Sequence, residues 1–190
     1  MQKTLVKSPF RPVYPSPVGL IVSIDKNKKP NILTAGEVFN IGLKEPPIIG
    51  IALRKATYTH SLITASAQFT VNFPTAAMWE KADHIGMVSG RNGLDKFSEH
   101  ELTPVKSTVI EAPFIEECPV NLECKLLSVT EVGDHDLFLG EVVAMHVDSD
   151  KLDEKRQRVI IEKVDGLVFA EWEYYRFGEK LGAMGFTRKK

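Results

Sequence analysis

The sequence predicts a mainly β fold, a barrel or sandwich into which a few short helices are inserted. Several segments alternate apolar residues with polar or small ones, which is typical of half-buried strands. Two of these segments are long and surround one turn, and only two other segments show helical spacing of apolar residues. Many strands with few helices indicate a closed or layered β architecture.

The strand patterns extend over most of the chain. The predicted strands are 17–25, 31–35, 48–53, 68–73, 119–132, 137–147 and 167–177. The first is expected to be half buried, because large apolar residues occupy alternate positions. The pair 119–132 and 137–147 surrounds a predicted turn at 133–136, and a change of phase at Leu126 and Leu127 predicts a β-bulge.

Two short helices complete the predicted secondary structure. The first covers 61–66, and Thr59 is a candidate for its N-cap because threonine hydroxyls bind free N–H groups at helix starts. The second covers 76–87 and places four apolar residues on one stripe. These residues are Met78, Trp79, Ala82 and Ile85.

Length and charge restrict the class of protein. The chain has 190 residues, of which 43% are hydrophobic and 26% charged, so we expect a single domain over residues 1–190. Its net charge of -1 predicts no attraction to nucleic acid or to an anionic membrane surface. No apolar run approaches the roughly 20 residues that span a bilayer. The N-terminus lacks the apolar middle of a signal peptide, so we expect a cytoplasmic protein.

The cysteines and most histidines have ordinary interpretations. Cys118 and Cys124 match neither a redox motif nor a zinc motif, and we interpret them as buried thiols. We expect His84 and His100 on the surface and His146 in packing contacts. The spacing of histidines and carboxylates indicates no metal site.

The segment after the predicted strand 48–53 is a candidate anion site. Arg54, Lys55 and Thr59 stand between this strand and the predicted helix 61–66. Cations, hydroxyls and a helix N-terminus suit a phosphate dianion, because free N–H groups and the positive end of the helix dipole point at it. The alternative interpretation is an ordinary solvated loop before a capped helix.

Three other segments carry groups that could bind a ligand. Segment 31–36 offers backbone N–H and C=O groups to the edge of a flat heterocycle, or is simply the end of a strand. Segment 89–97 contains two glycines and two cations and could close over an anion, or it caps a helix. Segment 133–135 is a turn whose composition is ordinary except for His135.

Taken together, these segments resemble the flavin reductase-like family with the FMN-binding split β-barrel, of Greek-key type, and most closely its flavoredoxin branch. The resemblance extends from about Pro12 to Phe177. It depends on the order and spacing of several short segments. These are 31–35, 46–47 before 48–53, 54–59, 69–72, 89–90 with 95–97, and 133–135 followed by 140–142.

The resemblance implies a noncovalent FMN near a homodimer interface and assigns its contacts by position. The implied phosphate and ribityl contacts are Arg54, Lys55, Thr59 and Lys96, with Ser89 and Gly90 nearby. The implied partners of the isoalloxazine edge are Asn31, Thr34 and Ala35, and the residues beside the ring are His135 and Phe169. Lys96 or His135 could stabilise the negative charge that develops near N1 on reduction. Glu37 either points away from the flavin or opposes this charge and lowers the reduction potential.

The family resemblance further implies an oxidoreductase in which the flavin carries the chemistry. Electrons would come from NADH, NADPH or a protein donor and pass to a protein, ferric or flavin acceptor. His135 would be the catalytic residue, positioning the donor or moving a proton. Two alternatives stay open: a flavin reductase that supplies free reduced FMN to a monooxygenase, and a non-catalytic module that binds flavin or haem.

Overall fold

The computed structural model describes residues 3–7 and 11–188. Within them the strands are β1 (Ser16–Pro17), β2 (Gly19–Ile24), β3 (Pro30–Ala35), β4 (Val38–Gly42), β5 (Ile48–Arg54), β6 (Gln68–Phe73), β7 (Pro104–Val105), β8 (Phe114–Ile115), β9 (Val120–Val132), β10 (His135–Val147), β11 (Leu152–Asp153), β12 (Arg158–Val159), β13 (Leu167–Ala170) and β14 (Glu173–Arg176). The α-helices are α1 (Tyr58–Ser66), α2 (Trp79–Met87), α3 (Lys96–Glu99) and α4 (Ile161–Val164). Short 3-10 helices cover Ala76–Met78, Gly90–Asn92, Ser149–Lys151 and Phe186–Arg188.

Seven strands form the main sheet. Their order is β3-β2-β6-β9-β10-β5-β4, and every neighbouring pair is antiparallel. β3 and β4 are therefore the two edges of this sheet. A smaller sheet, β1-β13-β14, lies beside it. The predicted mainly β fold is confirmed.

β2 is buried on both faces, and it separates two hydrophobic cores. One core packs Leu20 and Val22 against α2 and α3, and the other packs Ile21 among the strands of the main sheet. The prediction that 17–25 is half buried is wrong, because the alternating residues also contact apolar neighbours on both sides. Gly19 fits this position since a Cβ there would lie 2.9 Å from a methyl of Val38.

The longest pairing joins β9 and β10. Gly133, with φ of 60°, and Asp134 form a two-residue turn, so the predicted turn of 133–136 is too long by two residues. A glycine with positive φ at the first turn position is typical of a type II′ hairpin. The predicted bulge is confirmed, because Leu126 pairs with Gly140 and Ser128 with Leu139, which leaves Leu127 unpaired.

α1 begins earlier than the sequence predicts. Thr57 is the N-cap, and its hydroxyl accepts a hydrogen bond of 3.3 Å from the N–H of His60. Thr59 is not the cap, since it lies inside the helix and is buried. The correction moves the helix N-terminus closer to Arg54, the last residue of β5.

α2 presents only part of its predicted apolar stripe to the core. Met78, Ala82 and Ile85 are buried, whereas Trp79 is 47% exposed and faces the ring of Tyr174 at 6.5 Å. The prediction of a core position for Trp79 is wrong. α3 and α4 were absent from the predicted elements, because four residues are too few for a helical period to be recognised in the sequence.

The aromatic segment 167–177 forms two strands instead of the single predicted one. β13 and β14 pair as an antiparallel hairpin, and β1 pairs with the other side of β13. Glu171 occupies the turn with φ of 57°, a conformation that the alternating pattern did not indicate. The hairpin places Phe169 and Tyr174 opposite each other.

The interpretation of both cysteines as buried thiols is confirmed. Cys118 and Cys124 are both buried and free, and burial raises the pKa of each thiol. Among the described residues, every helix is too short or too polar to cross a membrane.

A buried carboxylate holds the loop between β7 and β8. Glu123 accepts hydrogen bonds of 2.7–3.1 Å from the backbone of Thr108, Val109 and Ile110, and His146 lies 2.7 Å away. Burial would raise the pKa of Glu123, but the hydrogen bonds from Thr108 and His146 outweigh it and lower the pKa to about 2. His146, predicted as a packing residue, therefore also serves as a partner of this carboxylate.

Replacing Glu123 by glutamine should destabilise the fold in a pH-dependent way. We expect E123Q to lower the free energy of unfolding at pH 7 by about 3–4 kcal/mol, since one unit of pKa shift corresponds to roughly 1.4 kcal/mol. The pKa of Glu123 is depressed from 4.5 on folding, so its contribution is present above that pH and is lost as the pH falls towards about 2. Urea unfolding at pH 7 and pH 3 measures the difference. Glu131→Gln, an exposed change on the same strand, is the control, and equal losses in both variants would contradict the prediction.

Candidate functional site

A cleft of about 480 Å³ opens where β3 and β5 end. This volume lies within the range of roughly 300–1,000 Å³ that is usual for pockets that bind small molecules and cofactors. Its walls come from β3, the end of β5, the start of α1, the end of α2, the β9–β10 turn and the β13–β14 hairpin. The lining residues include Thr34, Ala35, Glu37, Ala52, Arg54, Thr57, Asp83, Gly86, Met87, His135, Phe169, Trp172 and Tyr174.

β3 contributes backbone groups to one wall. It is an edge strand, so alternate N–H and C=O groups point away from β2. The carbonyl of Ile32 points outward, where it binds Lys96, and alternation places the backbone of Thr34 on the same edge. The hydroxyl of Thr34 donates to the carbonyl of Ala82 at 2.5 Å and holds α2 against the strand. A Cβ on Gly86 would lie 3.3 Å from Thr34, which shows how closely the two elements approach.

The end of β5 and the start of α1 form the cationic end of the cleft. Arg54 and the N-cap Thr57 both line it. The first turn of α1 contains no acidic residue, so no carboxylate of its own occupies the positive end of the helix dipole. The N-terminus of α1, capped by Thr57, therefore adds the positive end of its dipole to a region that also contains a guanidinium group.

The opposite end is aromatic and contains a compensated charge pair. Phe169 lies edge-on to the ring of Tyr174 at 4.9 Å. The guanidinium of Arg11 lies 4.7 Å from the centre of the Phe169 ring and pairs with the carboxylate of Glu37. Tyr174 donates a hydrogen bond of 3.3 Å to Asp83, and burial raises its pKa to about 12.

His135 lies beside Arg54 in the cleft wall. It begins β10 and pairs in register with Arg54. Its side chain is 29% exposed, with Nδ1 2.9 Å from a carboxylate oxygen of Asp134. The hydrogen bond from His135 lowers the pKa of Asp134. This contact holds the imidazole at the cleft wall through Nδ1. Nε2 is then the nitrogen that could contact a ligand.

Five of the sequence-predicted site residues thus line the cleft: Thr34, Ala35, Arg54, His135 and Phe169. Of four others, Asn31 and Thr59 are buried, Gly90 is half-buried and Ser89 is exposed. Nδ2 of Asn31 donates to the hydroxyl of Thr59 at 2.9 Å, and a Cβ on Gly90 would come within 2.1 Å of Oδ1 of Asn31. The hydroxyl of Ser89 accepts from the N–H of Arg91 at 3.3 Å and caps a 3-10 turn.

Lys96 lies away from the cleft and is 3% exposed. Its Nζ donates hydrogen bonds of 2.8 Å to the carbonyls of Ile32 and Ile85, which joins α3 to β3 and α2. Burial lowers the pKa of Lys96 to about 8. A neutral amine has two N–H groups and satisfies both carbonyls, so the low pKa agrees with the geometry. The arrangement makes Lys96 a structural link, in place of the phosphate contact that the resemblance implies.

Lys55 also points away from the cleft. Its ammonium pairs with Glu131 and lies 3.6 Å from Asp136. The hydrogen bond with Glu131 raises the pKa of Lys55. Of the two adjacent cations at the end of β5, only Arg54 faces the cleft, because successive side chains of a strand point to opposite sides.

Sequence reasoning missed several residues of the cleft. Arg11, Asp83 and Met87 come from segments where nothing in the pattern indicates a ligand, and Trp172 lies in a turn that the sequence did not predict. Arg11 lies just before Pro12 and Pro15 and belongs to no recognisable sequence motif. Its contact with Glu37 depends on pairing between distant parts of the chain.

The two histidines predicted at the surface contact each other. His100 is only 9% exposed, so its predicted surface position is wrong. Nδ1 of His84 lies 3.1 Å from Nε2 of His100 and 3.9 Å from the carboxylate of Glu99. Burial lowers the pKa of His100. The sequence spacing gives no indication of this cluster, because it forms only when α2 and α3 pack together.

Replacing Lys96 by methionine should destabilise the fold by about 2–4 kcal/mol, because each buried carbonyl left without a donor costs roughly 1–3 kcal/mol. The pKa of Lys96 is lower in the folded state, so its contribution to stability increases as the pH rises from about 8 towards 10.5. The gap between wild type and K96M should therefore widen between pH 8 and pH 10 in urea unfolding. Lys29→Met, at an exposed lysine, is the control, and a gap independent of pH would contradict the prediction.

Comparison with known proteins identifies the family. The model of the flavin reductase-like domain matches residues 10–178. The structure is similar to flavoredoxin of Desulfovibrio vulgaris (Miyazaki F), with a TM-score of 0.89, 36% identity and 100% of each chain covered. It is also similar to flavoredoxin from Methanosarcina acetivorans, with a TM-score of 0.87, 30% identity and coverage of 100% of this chain and 98% of the other.

A curated relative carries a functional name. The NADH-dependent FAD reductase of Streptomyces globisporus is 31% identical over 127 residues, 67% of this chain and 68% of the relative. The match to flavoredoxin structures over the full chain confirms the split β-barrel fold with a few short helices. The chain belongs to the flavin reductase-like family.

Proposed function

We propose that this protein is an oxidoreductase that binds FMN noncovalently in the cleft at the ends of β3 and β5. The observation that carries the proposal is the polarity of the cleft. One end combines Arg54 with the N-terminus of α1, and the other presents the aromatic ring of Phe169. FMN has the same asymmetry, with a phosphate at one end and a flat ring system at the other.

The phosphate would lie at the cationic end. Arg54 offers a planar set of donors that suits phosphate oxygens, and the start of α1 adds N–H groups and the helix dipole. Asn31, Thr59, Ser89 and Gly90 lie near the same helix start, and they would shape this end of the cleft. Their role in holding the ribityl chain and the phosphate stays a prediction.

The ring would lie against the aromatic end. Phe169 offers an apolar surface, and the outward backbone groups of Thr34, beside Ala35, match the hydrogen-bonding edge of an isoalloxazine. Glu37 was expected either to point away or to oppose negative charge on a reduced flavin. Its pairing with Arg11 supports a neutral environment at this end, because the guanidinium compensates the carboxylate.

FMN would supply hydride and electron transfer, so this chain needs no nucleophile of its own. His135 would be the residue nearest the reaction, held by Asp134 at the side of the cleft. An imidazole there can orient the donor or transfer a proton, since its ordinary pKa lies near neutrality. Phe169 and Tyr174 would limit access of water to one face.

The electron donor would be NADH, NADPH or a redox protein, and the acceptor a protein, ferric ion or free flavin. The sequence contains no glycine-rich dinucleotide fingerprint, so a nicotinamide would have to bind at the flavin itself. The relative named as an NADH-dependent FAD reductase supports a nicotinamide donor. The two buried free thiols suit a reducing compartment and support a cytoplasmic location.

A titration and a donor screen test the proposal. The purified chain should quench the fluorescence of added FMN with a stoichiometry of one flavin per chain. Under anaerobic conditions, NADH or NADPH should then bleach the visible absorbance of the bound flavin. A chain that neither retains nor binds FMN would rule out the proposed function.

Replacing Arg54 by alanine should weaken FMN binding by roughly 10- to 150-fold, because a hydrogen bond to a charged group contributes about 1.5–3 kcal/mol. Riboflavin lacks the phosphate, so its affinity should change little. Fluorescence titration with both flavins measures the two effects. The comparison variant is Lys55→Ala, which removes a neighbouring cation that points away from the cleft. A greater loss in K55A than in R54A would contradict this placement of the phosphate.

Replacing His135 by alanine should slow reduction of bound flavin by about 100-fold, within the range expected for loss of a proton-transferring group. FMN affinity should stay within a few-fold of the wild type, because the imidazole would contact the donor side of the ring. Stopped-flow absorbance with NADH and NADPH measures the rate. An unchanged rate with every donor would exclude His135 from the reaction.

A second function stays open, the supply of free reduced flavin to a monooxygenase, and the relative named as an NADH-dependent FAD reductase supports its reductase step. The cleft is open to solvent on one side, as exchange of a diffusing flavin requires. Gel filtration separates the two functions. FMN that stays with the protein favours a bound cofactor, and FMN that elutes alone favours a diffusing substrate.

We further propose a homodimer formed through the outer face of β5 and β10. Ala52, Leu137 and Leu139 are half-buried on this face, and Phe39 covers Gly50 beside them while staying 41% exposed. Such an apolar sheet face is typical of homodimer interfaces. It adjoins the cleft through Ala52, so the partner would border the flavin.

Leu139→Glu should convert the dimer to a monomer, because it places a charge in the middle of this face. Size-exclusion chromatography with light scattering measures the mass. Val109→Glu, at an exposed apolar residue on a loop, is the control and should remain dimeric. A dimer of unchanged stability in L139E would place the interface elsewhere.

A further inference from the structure

A cluster of potential metal ligands lies outside the cleft, where the C-terminal parts of α2 and α3 meet. His84 comes from the last turn of α2, Glu99 ends α3, and His100 follows it. One ligand atom from each residue lies within 4.8 Å of the other two. The packing of the two helices brings these atoms together, and none of them lines the flavin cleft.

The distances suit a small divalent ion. Nδ1 of His84 and Nε2 of His100 are 3.1 Å apart. Two nitrogens bound to a tetrahedral zinc ion at roughly 2.0–2.1 Å would lie about 3.4 Å apart. The carboxylate of Glu99 is 3.9 Å from Nδ1 of His84, and its side chain is exposed enough to rotate towards an ion between the rings. Small movements of side chains would therefore complete three bonds.

Nδ1 of His84 and Nε2 of His100 share a hydrogen bond, which a bound ion would replace with release of the shared proton. Within the described residues, Glu99 forms its ion pair with His84, and no lysine or arginine is paired with it. The ammonium of Lys81 binds the carbonyl of His100 at 2.7 Å, and Lys96 binds two other carbonyls. These contacts fix the backbone of His100 and engage both lysines with carbonyl oxygens. Partial exposure of His84 and Glu99 offers an entry path for an ion.

We propose that His84, Glu99 and His100 form a site for a first-row divalent cation of the zinc class. Two imidazoles and one carboxylate are ligands that Zn²⁺ accepts, and water would complete four-coordination on the exposed side. The role is structural, because the ion would tie α2 to α3. α2 also forms a wall of the flavin cleft through Asp83, Gly86 and Met87. The ion would therefore stabilise the position of α2 in that wall without contacting the cleft.

The test uses the untagged full chain, freed of metal by a chelator. Zn²⁺ is added in competition with a chromogenic chelator, and Co²⁺ is added separately to record its visible absorption. We expect one equivalent of Zn²⁺ per chain and a Co²⁺ spectrum of low-symmetry, nitrogen-containing coordination. Thermal unfolding should shift to a higher temperature when Zn²⁺ is added, because the ion binds only the folded arrangement.

His84→Ala removes a half-exposed ligand and should keep the fold. We expect it to weaken Zn²⁺ binding by at least about 100-fold, since even partners outside the ligand set commonly change metal affinity by 10–100-fold. Glu99→Gln should weaken binding less than H84A. Glu80→Gln, an exposed change on the same helix, is the matched control and should bind as the wild type does.

The outcomes are distinct. Stoichiometric binding that is lost in H84A and kept in E80Q supports the site. Wild-type binding no stronger than that of H84A, or a thermal shift of equal size in both, overturns it. Because the readout is metal binding and unfolding temperature, the result does not depend on FMN binding or turnover.

Discussion

The whole arrangement depends on β2 being packed on both faces. Its side chains alternate between a core shared with α2 and α3 and a core enclosed by the main sheet. A strand in this position cannot shift register, because a slip of one residue would exchange the two sets of side chains. β3 is therefore fixed beside it as an edge strand, and α2 is fixed over β3. The cleft exists because these two elements end next to β5.

The cleft is a composite of short segments that are distant in the sequence. Arg54 comes from the end of a strand, His135 from a hairpin turn, and Phe169 from a second sheet. No two of these residues form a pair of a nucleophile and a general base. Such a set of residues suits the holding and orienting of a reactive group supplied from outside the chain. The walls accordingly combine aromatic rings and backbone groups with charged side chains, among them Arg11, Glu37 and Arg54.

Strands with regular alternation were predictable, whereas helix caps and turns were not. β6 occupies the predicted range, and the bulge at Leu127 follows from a break in the pattern. The cap of α1 and the turn inside 167–177 depend on local backbone angles that apolar periodicity does not report. For the site, Arg54 and His135, which the sequence proposed as ligand contacts, both line the cleft. The sequence could not tell that Lys55 and Lys96 point away, because side-chain direction depends on register and on burial.

Because Lys96 is buried, chemical labelling of its amine can report local opening of the structure. An amine with a pKa near 8 is a strong nucleophile in mildly alkaline water, yet this one is 3% exposed and shielded by α3. Acylating reagents would modify surface lysines first and reach Lys96 only when α3 lifts from β3 and α2. The labelling rate of this single amine would then measure how often α3 separates from β3 and α2 without global unfolding.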